Sequence, residues 1–261
     1  MLEPWLSLAK SIPEGTNARM RCCGADTSRV VYNTVDSWSS YCHRCHIRLY
    51  KAKKFVRLQE HQDQSKVKVL PDDTVPIQSL DEYTQKELYK FLLSRGMYPS
   101  MLPDALYSPS LGRLVFKVSE SVYMARALKD SQKPKWLQLN GVARFAIAGA
   151  VQNPRLIVLT EDYLSARKVQ YVQQEFGDDS VLCIALLGTR LCVQLRAFIV
   201  QNEIPVLCML DGDTAGYTGT ETIQKDLRNF VSVRTFAKQG FDPKDLTCQE
   251  ILNALKQEIQ R

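Results

Sequence analysis

From residue 154 onward the chain alternates continuous apolar runs with amphipathic stretches. RLIVLT, SVLCIALL, PVLCMLD and VSVRTF read as strands. EDYLSARKVQYVQQEF, RLCVQLRAFIVQN, TAGYTGTETIQKDLRN and TCQEILNALKQEI read as helices. Strands apolar along their whole length, separated by helices, predict a mainly parallel α/β sheet covered on both faces. Upstream, GRLVFKV, SVYMARAL and PKWLQL are short β-forming runs with turns between them, which predicts an antiparallel meander. Residues 80–96 predict one helix, with Asp81 as its N-cap and Gly96 closing it. Between Met20 and Tyr50, cysteine pairs flank a stretch rich in β-formers and aromatics, the pattern of a small antiparallel ribbon.

Polarity then divides the chain. Residues 58–76 are polar, contain two prolines and keep no period, so a linker is expected there. The 261 residues suffice for a small N-terminal module and a larger α/β domain. No apolar run approaches a membrane span and the N-terminus lacks a signal-peptide pattern, so the expected location is cytoplasmic, with no membrane partner. The net charge of +6 suits a polyanionic partner. Basic residues gather in RLYKAKKFVR (48–57) and again at Arg113, Lys117, Arg126, Lys129, Lys133 and Lys135.

Four of the eight cysteines lie within residues 22–45. Cys42-His43-Arg44-Cys45 is a C-x2-C knuckle, one half of a tetrahedral zinc site. Cys23, ahead of Gly24, fits the second half; the fourth ligand is then Cys22 or His46, while His61 lies in the linker. A segment with so little apolar sequence needs a staple of this kind. Cys183, Cys192, Cys208 and Cys248 stand in apolar or helical context and read as small hydrophobes.

Acidic residues cluster where the predicted strands end: Glu161 after RLIVLT, Asp211 and Asp213 after PVLCML, Asp242 and Asp245 after VSVRTF. Parallel sheets bind ligands outside the carboxyl ends of their strands. Carboxylates gathered there repel one another without a cation, and hard oxygen donors suit Mg2+ or Mn2+. Asp211 and Asp213 straddle Gly212, so in an extended chain both project to the same side. Such sites support nucleotidyl transfer or hydrolysis.

LTEDYLSARKV and CMLDGDTAG resemble the two signature segments of the TOPRIM fold, and FDPKDL resembles the third acidic segment of DnaG-type and phage DNA primases. The resemblance implies Glu161, Asp211 and Asp213 as catalytic and metal-binding residues, with Asp242 and Asp245 as further metal ligands. The first segment departs from the commoner pattern, having Asp162 in place of a glycine and Ser165 in place of an aspartate. GRLVFKV, MARAL and KPKWL are similar to the basic subdomain that precedes the metal site in primases, which implies Arg113, Arg126, Lys133 and Lys135 as contacts to template or incoming nucleotide.

The implied organisation is a zinc ribbon over 1–57, a linker over 58–78, a basic subdomain of the catalytic core over 79–150, and a TOPRIM domain with C-terminal helix over 151–261. The implied activity is synthesis of short RNA primers on single-stranded DNA from ribonucleoside triphosphates by two-metal chemistry. In that setting the zinc ribbon reads the template, with Arg21, Arg29, Trp38, Tyr41 and Arg44 as contacts. No Walker A segment occurs, so a separate replicative helicase is the expected partner, docked on N- or C-terminal helical segments, and a bacteriophage origin is the expected setting. A TOPRIM nuclease and a non-catalytic DNA-binding accessory protein are the alternatives. Topoisomerase chemistry would need a further DNA-gating domain with its nucleophilic tyrosine.

Overall fold

The computed structural model describes residues 4–34, 36–53, 68–149, 151–177 and 179–259. They fall into two compact units, Met1–Gln64 and Ser65–Arg261. Residues 58–67 of the expected linker, including His61, and residues 54–57 of the first basic cluster lie outside the described residues. Among the described residues no helix is long and apolar enough to cross a membrane.

The first unit opens with helix α1 (Pro4–Ser11) and continues as a four-stranded antiparallel sheet: β1 (Thr16–Met20), β2 (Arg29–Asn33), β3 (Ser37–Cys42) and β4 (Arg48–Ala52), in that spatial order. Its apolar core is small, with Trp5, Leu6 and Ala9 of α1 packed on Val31. Up-and-down order brings the β1–β2 and β3–β4 connections to the same end of the sheet. Both cysteine pairs lie in or beside those two connections. Neither α1 nor β1 follows from the sequence pattern: α1 has a single helical face of apolar residues, and β1 (TNARM) has no β-branched run beyond its first residue.

In the second unit, β5 (Val75–Pro76) joins β6 (Leu106–Ser108), β7 (Arg113–Lys117), β8 (Tyr123–Ala127) and β9 (Trp136–Leu139) in a five-stranded antiparallel sheet. β5 falls inside the segment expected as linker; its pairing with β6 makes residues 75–76 part of the fold. Helix α2 (Glu82–Ser94) starts where the sequence places it. Asp81 accepts from the Thr84 N–H, and Gly96 closes the helix at φ +65°.

The other sheet has the order β10-β12-β11-β13-β14, where β10 is Ala146–Ala148, β11 Leu156–Thr160, β12 Val181–Ala185, β13 Val206–Cys208 and β14 Val233–Thr235. β11 pairs in parallel with β12 and β13, and β13 with β14; β10 is antiparallel at the edge. β10 lies in the range expected for the basic subdomain, so this sheet begins before residue 151. Helices α3 (Tyr163–Glu175), α4 (Val193–Gln201), α5 (Thr214–Leu227) and α6 (Cys248–Ile259) complete the layers.

Alternation along the buried strands explains why their runs are apolar throughout. Val158, Cys183 and Leu207 pack on one side with α3, α6 and the Leu114/Phe116 face of the antiparallel sheet. Ile157, Leu182, Ile184 and Val206 pack on the other with Leu195 and Ile199 of α4 and Ile223 and Leu227 of α5. The chain is thus a mixed α/β protein with a small β module in front, as expected from the sequence.

Candidate active site

Because β11, β13 and β14 run in parallel, their carboxyl ends share one edge. Glu161 follows β11 directly. Asp211 and Asp213 follow β13, and Asp242 comes from the loop after β14. Backbone bonds stitch the last two loops together: Gly212 N–H donates to the Phe241 carbonyl at 2.9 Å, and Gly240 N–H to the Gly212 carbonyl at 2.8 Å. Asp213 caps α5, accepting from Gly216 N–H at 2.9 Å. Gly216 is held so close that a Cβ there would run into the Asp211 carbonyl oxygen.

The electrostatics are those of crowded like charges. Burial pushes the Asp211 carboxyl up to about 8, and the charges of Asp242 and Glu161 add to this. Glu161 is pushed up by burial first and by Asp213 next. Asp211 Oδ1 and Glu161 Oε1 are buried acceptor atoms with no hydrogen-bond partner among the described residues. An unpaired buried acceptor costs about 1–3 kcal/mol, which a coordinated cation would relieve. The donors are hard oxygens, which fits Mg2+ or Mn2+.

These two carboxylates and Asp162 line a cleft of about 370 Å3 whose other walls include Lys135, Trp136, Met124 and Gln138 of the β8–β9 region and Leu187 and Gly188 of the β12–α4 loop. Phe116 of β7 is 5.5 Å from the Tyr163 ring and 6.2 Å from the Trp136 ring, centroid to centroid, which ties the antiparallel wall to the start of α3.

Two of the expected basic contacts are placed elsewhere. Arg113 and Arg126 are 4% and 2% exposed. Both point an Nη1 at the Lys135 carbonyl, 3.4 Å away, and the Arg126 guanidinium lies 5.6 Å from the Trp136 ring centroid. Their guanidiniums thus brace the turn into β9 from the inside, leaving little of either side chain on the surface. Lys135 is exposed and lines the cleft; Lys133 is exposed in the turn before it.

Of the last acidic pair, Asp242 is half-buried and adds its charge to Asp211. Asp245 is exposed, and its carboxylate accepts from the Asp242 N–H in the one-turn helix Pro243–Asp245.

Sequence reasoning missed Lys244 and the part played by Asp162. Lys244, 3% exposed, ion-pairs through Nζ with Asp242 Oδ2 and, at 3.0 Å, with Asp162 Oδ2. Asp162 also caps α3, accepting from Ser165 N–H at 2.9 Å. Asp162 therefore serves both as a helix cap and as an ion-pair partner. A lysine between two acids in FDPKDL was the only signal, and its partner Asp162 is 82 residues away.

In the first unit the four cysteine sulfurs of Cys22, Cys23, Cys42 and Cys45 lie within 4.8 Å of one another, the one such group of potential metal ligands among the described residues. Cys22 and Cys45 are 3.8 Å apart and Cys23 and Cys42 3.7 Å. A tetrahedron with Zn–S bonds of about 2.3 Å has edges of about 3.8 Å, so the set fits zinc. The Cys45 N–H, ahead of the Ser28 hydroxyl, holds the Cys42 thiol down at about 5. His46 stands outside the set, its Nδ1 2.8 Å from the Tyr41 hydroxyl.

Arg29, expected to touch the template, is 7% exposed and donates to Cys22 Sγ at 2.9 Å and to Ser40 Oγ at 3.2 Å, so its charge serves the thiolate cluster. Trp38 lies 5.1 Å and 5.4 Å from Lys10 and Lys53 Nζ, ring centroid to nitrogen, and Arg44 pairs with Asp26 at 3.3 Å. Cys183 and Cys208 are buried strand residues, and Cys192 caps α4 through its sulfur.

No family model and no curated protein matches the chain. Solved structures do. A DNA primase domain from Pseudomonas aeruginosa is 20% identical over 60% of this chain, which spans 53% of that chain's length, with a TM-score of 0.43. The primase fragment of the bacteriophage T7 primase-helicase protein is 15% identical over 93% of this chain and 97% of its own, with a TM-score of 0.47. The zinc-binding and RNA polymerase domains of the Aquifex aeolicus primase are 16% identical over 100% of this chain and 85% of theirs, with a TM-score of 0.49; all three of these structures come from primases.

Proposed function

We propose that this chain synthesises short RNA primers on single-stranded DNA by divalent-metal-assisted nucleotidyl transfer. The observation that carries the reading is the pair of buried, unpartnered oxygens, Glu161 Oε1 and Asp211 Oδ1, facing a cleft with a lysine on its opposite wall. Glu161, Asp211 and Asp213 would hold Mg2+ or Mn2+, with Asp242 beside them. A bound ion of this kind neutralises a triphosphate and stabilises departing pyrophosphate.

The reaction joins the 3′-hydroxyl oxygen of one ribonucleotide to the α-phosphorus of the next. The α–β bridging bond breaks, pyrophosphate leaves and the hydroxyl proton passes to water. Lys135 binds a phosphate across the cleft from the carboxylates, and Trp136 forms an apolar wall that excludes water beside it. Cys22, Cys23, Cys42 and Cys45 hold Zn2+ as a structural ion, and the surrounding module reads the template. A separate replicative helicase supplies unwinding. The soluble replication role places the chain in a cytoplasm.

The test is incubation with single-stranded DNA, labelled ribonucleoside triphosphates and Mg2+, beside Asp211→Ala. Short template-dependent RNA from the wild type, reduced by a factor of about 10² or more in Asp211→Ala, is expected. Mg2+-dependent loss of template without synthesis would make the chain a nuclease, and DNA binding with neither reaction would make it an accessory protein.

A further inference from the structure

The acidic cluster contains a cation of its own. Lys244 Nζ ion-pairs with both Asp162 Oδ2 and Asp242 Oδ2; its side chain is 3% exposed, while theirs are half-buried. It is also held from behind. Lys168 of α3, itself 4% exposed, donates through Nζ to the Lys244 carbonyl at 2.6 Å and to the Gly96 carbonyl at 2.7 Å. That pins the one-turn helix Pro243–Asp245 to α3 and to the end of α2. The ammonium is therefore a fixed part of the site, out of reach of a substrate phosphate.

The carboxylates divide accordingly. Asp162 and Asp242 share the single positive charge of Lys244, and Asp162 spends its other oxygen on the α3 cap. Asp213 spends one oxygen on the α5 cap. The buried oxygens left without a partner are one on Glu161 and one on Asp211. They follow adjacent parallel strands, β11 and β13, and both residues line the same cleft. A second divalent ion held by Asp242 or Asp162 would share that carboxylate with a buried ammonium, and like charges so close repel.

We infer that the protein itself offers one divalent-cation site, between Glu161 and Asp211 with Asp213, and that Lys244 occupies the charge position of the second ion expected from the sequence. Lys244 is a positioning residue: it fixes Asp162 and Asp242 and limits the number of ions held. The inference rests on the metal-site reading above and changes its ion count from two to one.

Mn2+ binding to the zinc-saturated full-length chain, without nucleotide, is counted by the loss of the free-ion paramagnetic resonance signal. One Mn2+ per chain is expected for the wild type. Asp211→Asn should weaken it at least tenfold, and Lys244→Ala, which frees Asp162 and Asp242, should bind a second ion. Circular dichroism melts establish that each variant is folded. Two ions in the wild type would overturn this inference and leave the proposed function standing. No Mn2+ at all would remove the metal site and both readings with it. A folded Lys244→Ala that still binds one ion also overturns the role given to Lys244; should that variant not fold, the wild-type count decides alone.

Discussion

Gly216 lies in the first turn of α5, where a Cβ would press on the Asp211 carbonyl oxygen and come within 2.9 Å of Glu161 Oε1. The obstacle on one side is backbone and cannot rotate away. Gly216→Ala therefore has to displace the loop carrying Asp211 and Asp213 or turn Glu161 aside, at a cost of about 1–3 kcal/mol for overpacking. The expected outcome is a folded chain with a lower melting temperature and a smaller stabilisation by added Mg2+ than the wild type shows. Thermal melts with and without Mg2+ measure both, and an unchanged Mg2+ response would mean that α5 does not set the geometry of the carboxylates. Lys244 shows the converse at the level of a side chain: a lysine that sequence alone would place in solvent is among the most buried polar groups, because Asp242 of its own loop and Asp162, 82 residues away, close on it.

The turn into β9 forms a wall of the cleft through Lys135 and, at the strand's first residue, Trp136, and Arg113 of β7 and Arg126 of β8 hold that turn in place through the Lys135 carbonyl. Arg126→Ala removes a buried guanidinium lying 5.8 Å from the Phe91 ring centroid and 5.6 Å from that of Trp136. A loss of about 2–4 kcal/mol is expected from the vacated volume and the lost ring contacts. Lys135→Ala should leave stability unchanged and weaken binding of single-stranded DNA or nucleotide, with a shallower salt dependence. Urea unfolding and DNA titrations at two salt concentrations separate the pair. Equal weakening of DNA binding without any stability loss in Arg126→Ala would return that arginine to the contacts.

The difference between these residues also shows what was legible in the sequence. Parallel strands buried on both faces write themselves as apolar runs, so β11, β12 and β13 and the acids at their ends could be read directly. The meander of β7, β8 and β9 was equally plain. What stayed hidden depends on partners distant in sequence: the burial of Arg113, Arg126 and Arg29, the Asp162–Lys244 pair, and β10, three residues long and set by its pairing with β12. The choice between Cys22 and His46 was hidden for the same reason, since it needed the two connections brought together by the up-and-down sheet.

Across the whole molecule the two units draw their stability from different sources. Ser65–Arg261 has two extensive apolar clusters, one on each side of its parallel strands. Among the described residues of Met1–Gln64 the buried apolar cluster is Trp5, Leu6, Ala9 and Val31, too little to order a domain of that size unaided. Zinc at the four cysteines is then expected to be the main support of the first unit and to leave the core of the second unaffected. Stripping zinc with a chelator that spares Mg2+ should unfold the first unit alone. Of the three tryptophans, Trp5 and Trp38 should shift toward the emission of exposed indole while Trp136 holds its environment, which single-tryptophan variants resolve. Cys22→Ser should reproduce the loss and His46→Ala should not, because the Cys22 sulfur lies 3.8 Å from that of Cys45 whereas the His46 ring is engaged by Tyr41. The cooperative melt of the second unit should stay within about 2 °C of its value in the zinc-loaded chain. A simultaneous collapse of both units on chelation would show that zinc supports the second unit as well, and would rule out independent folding.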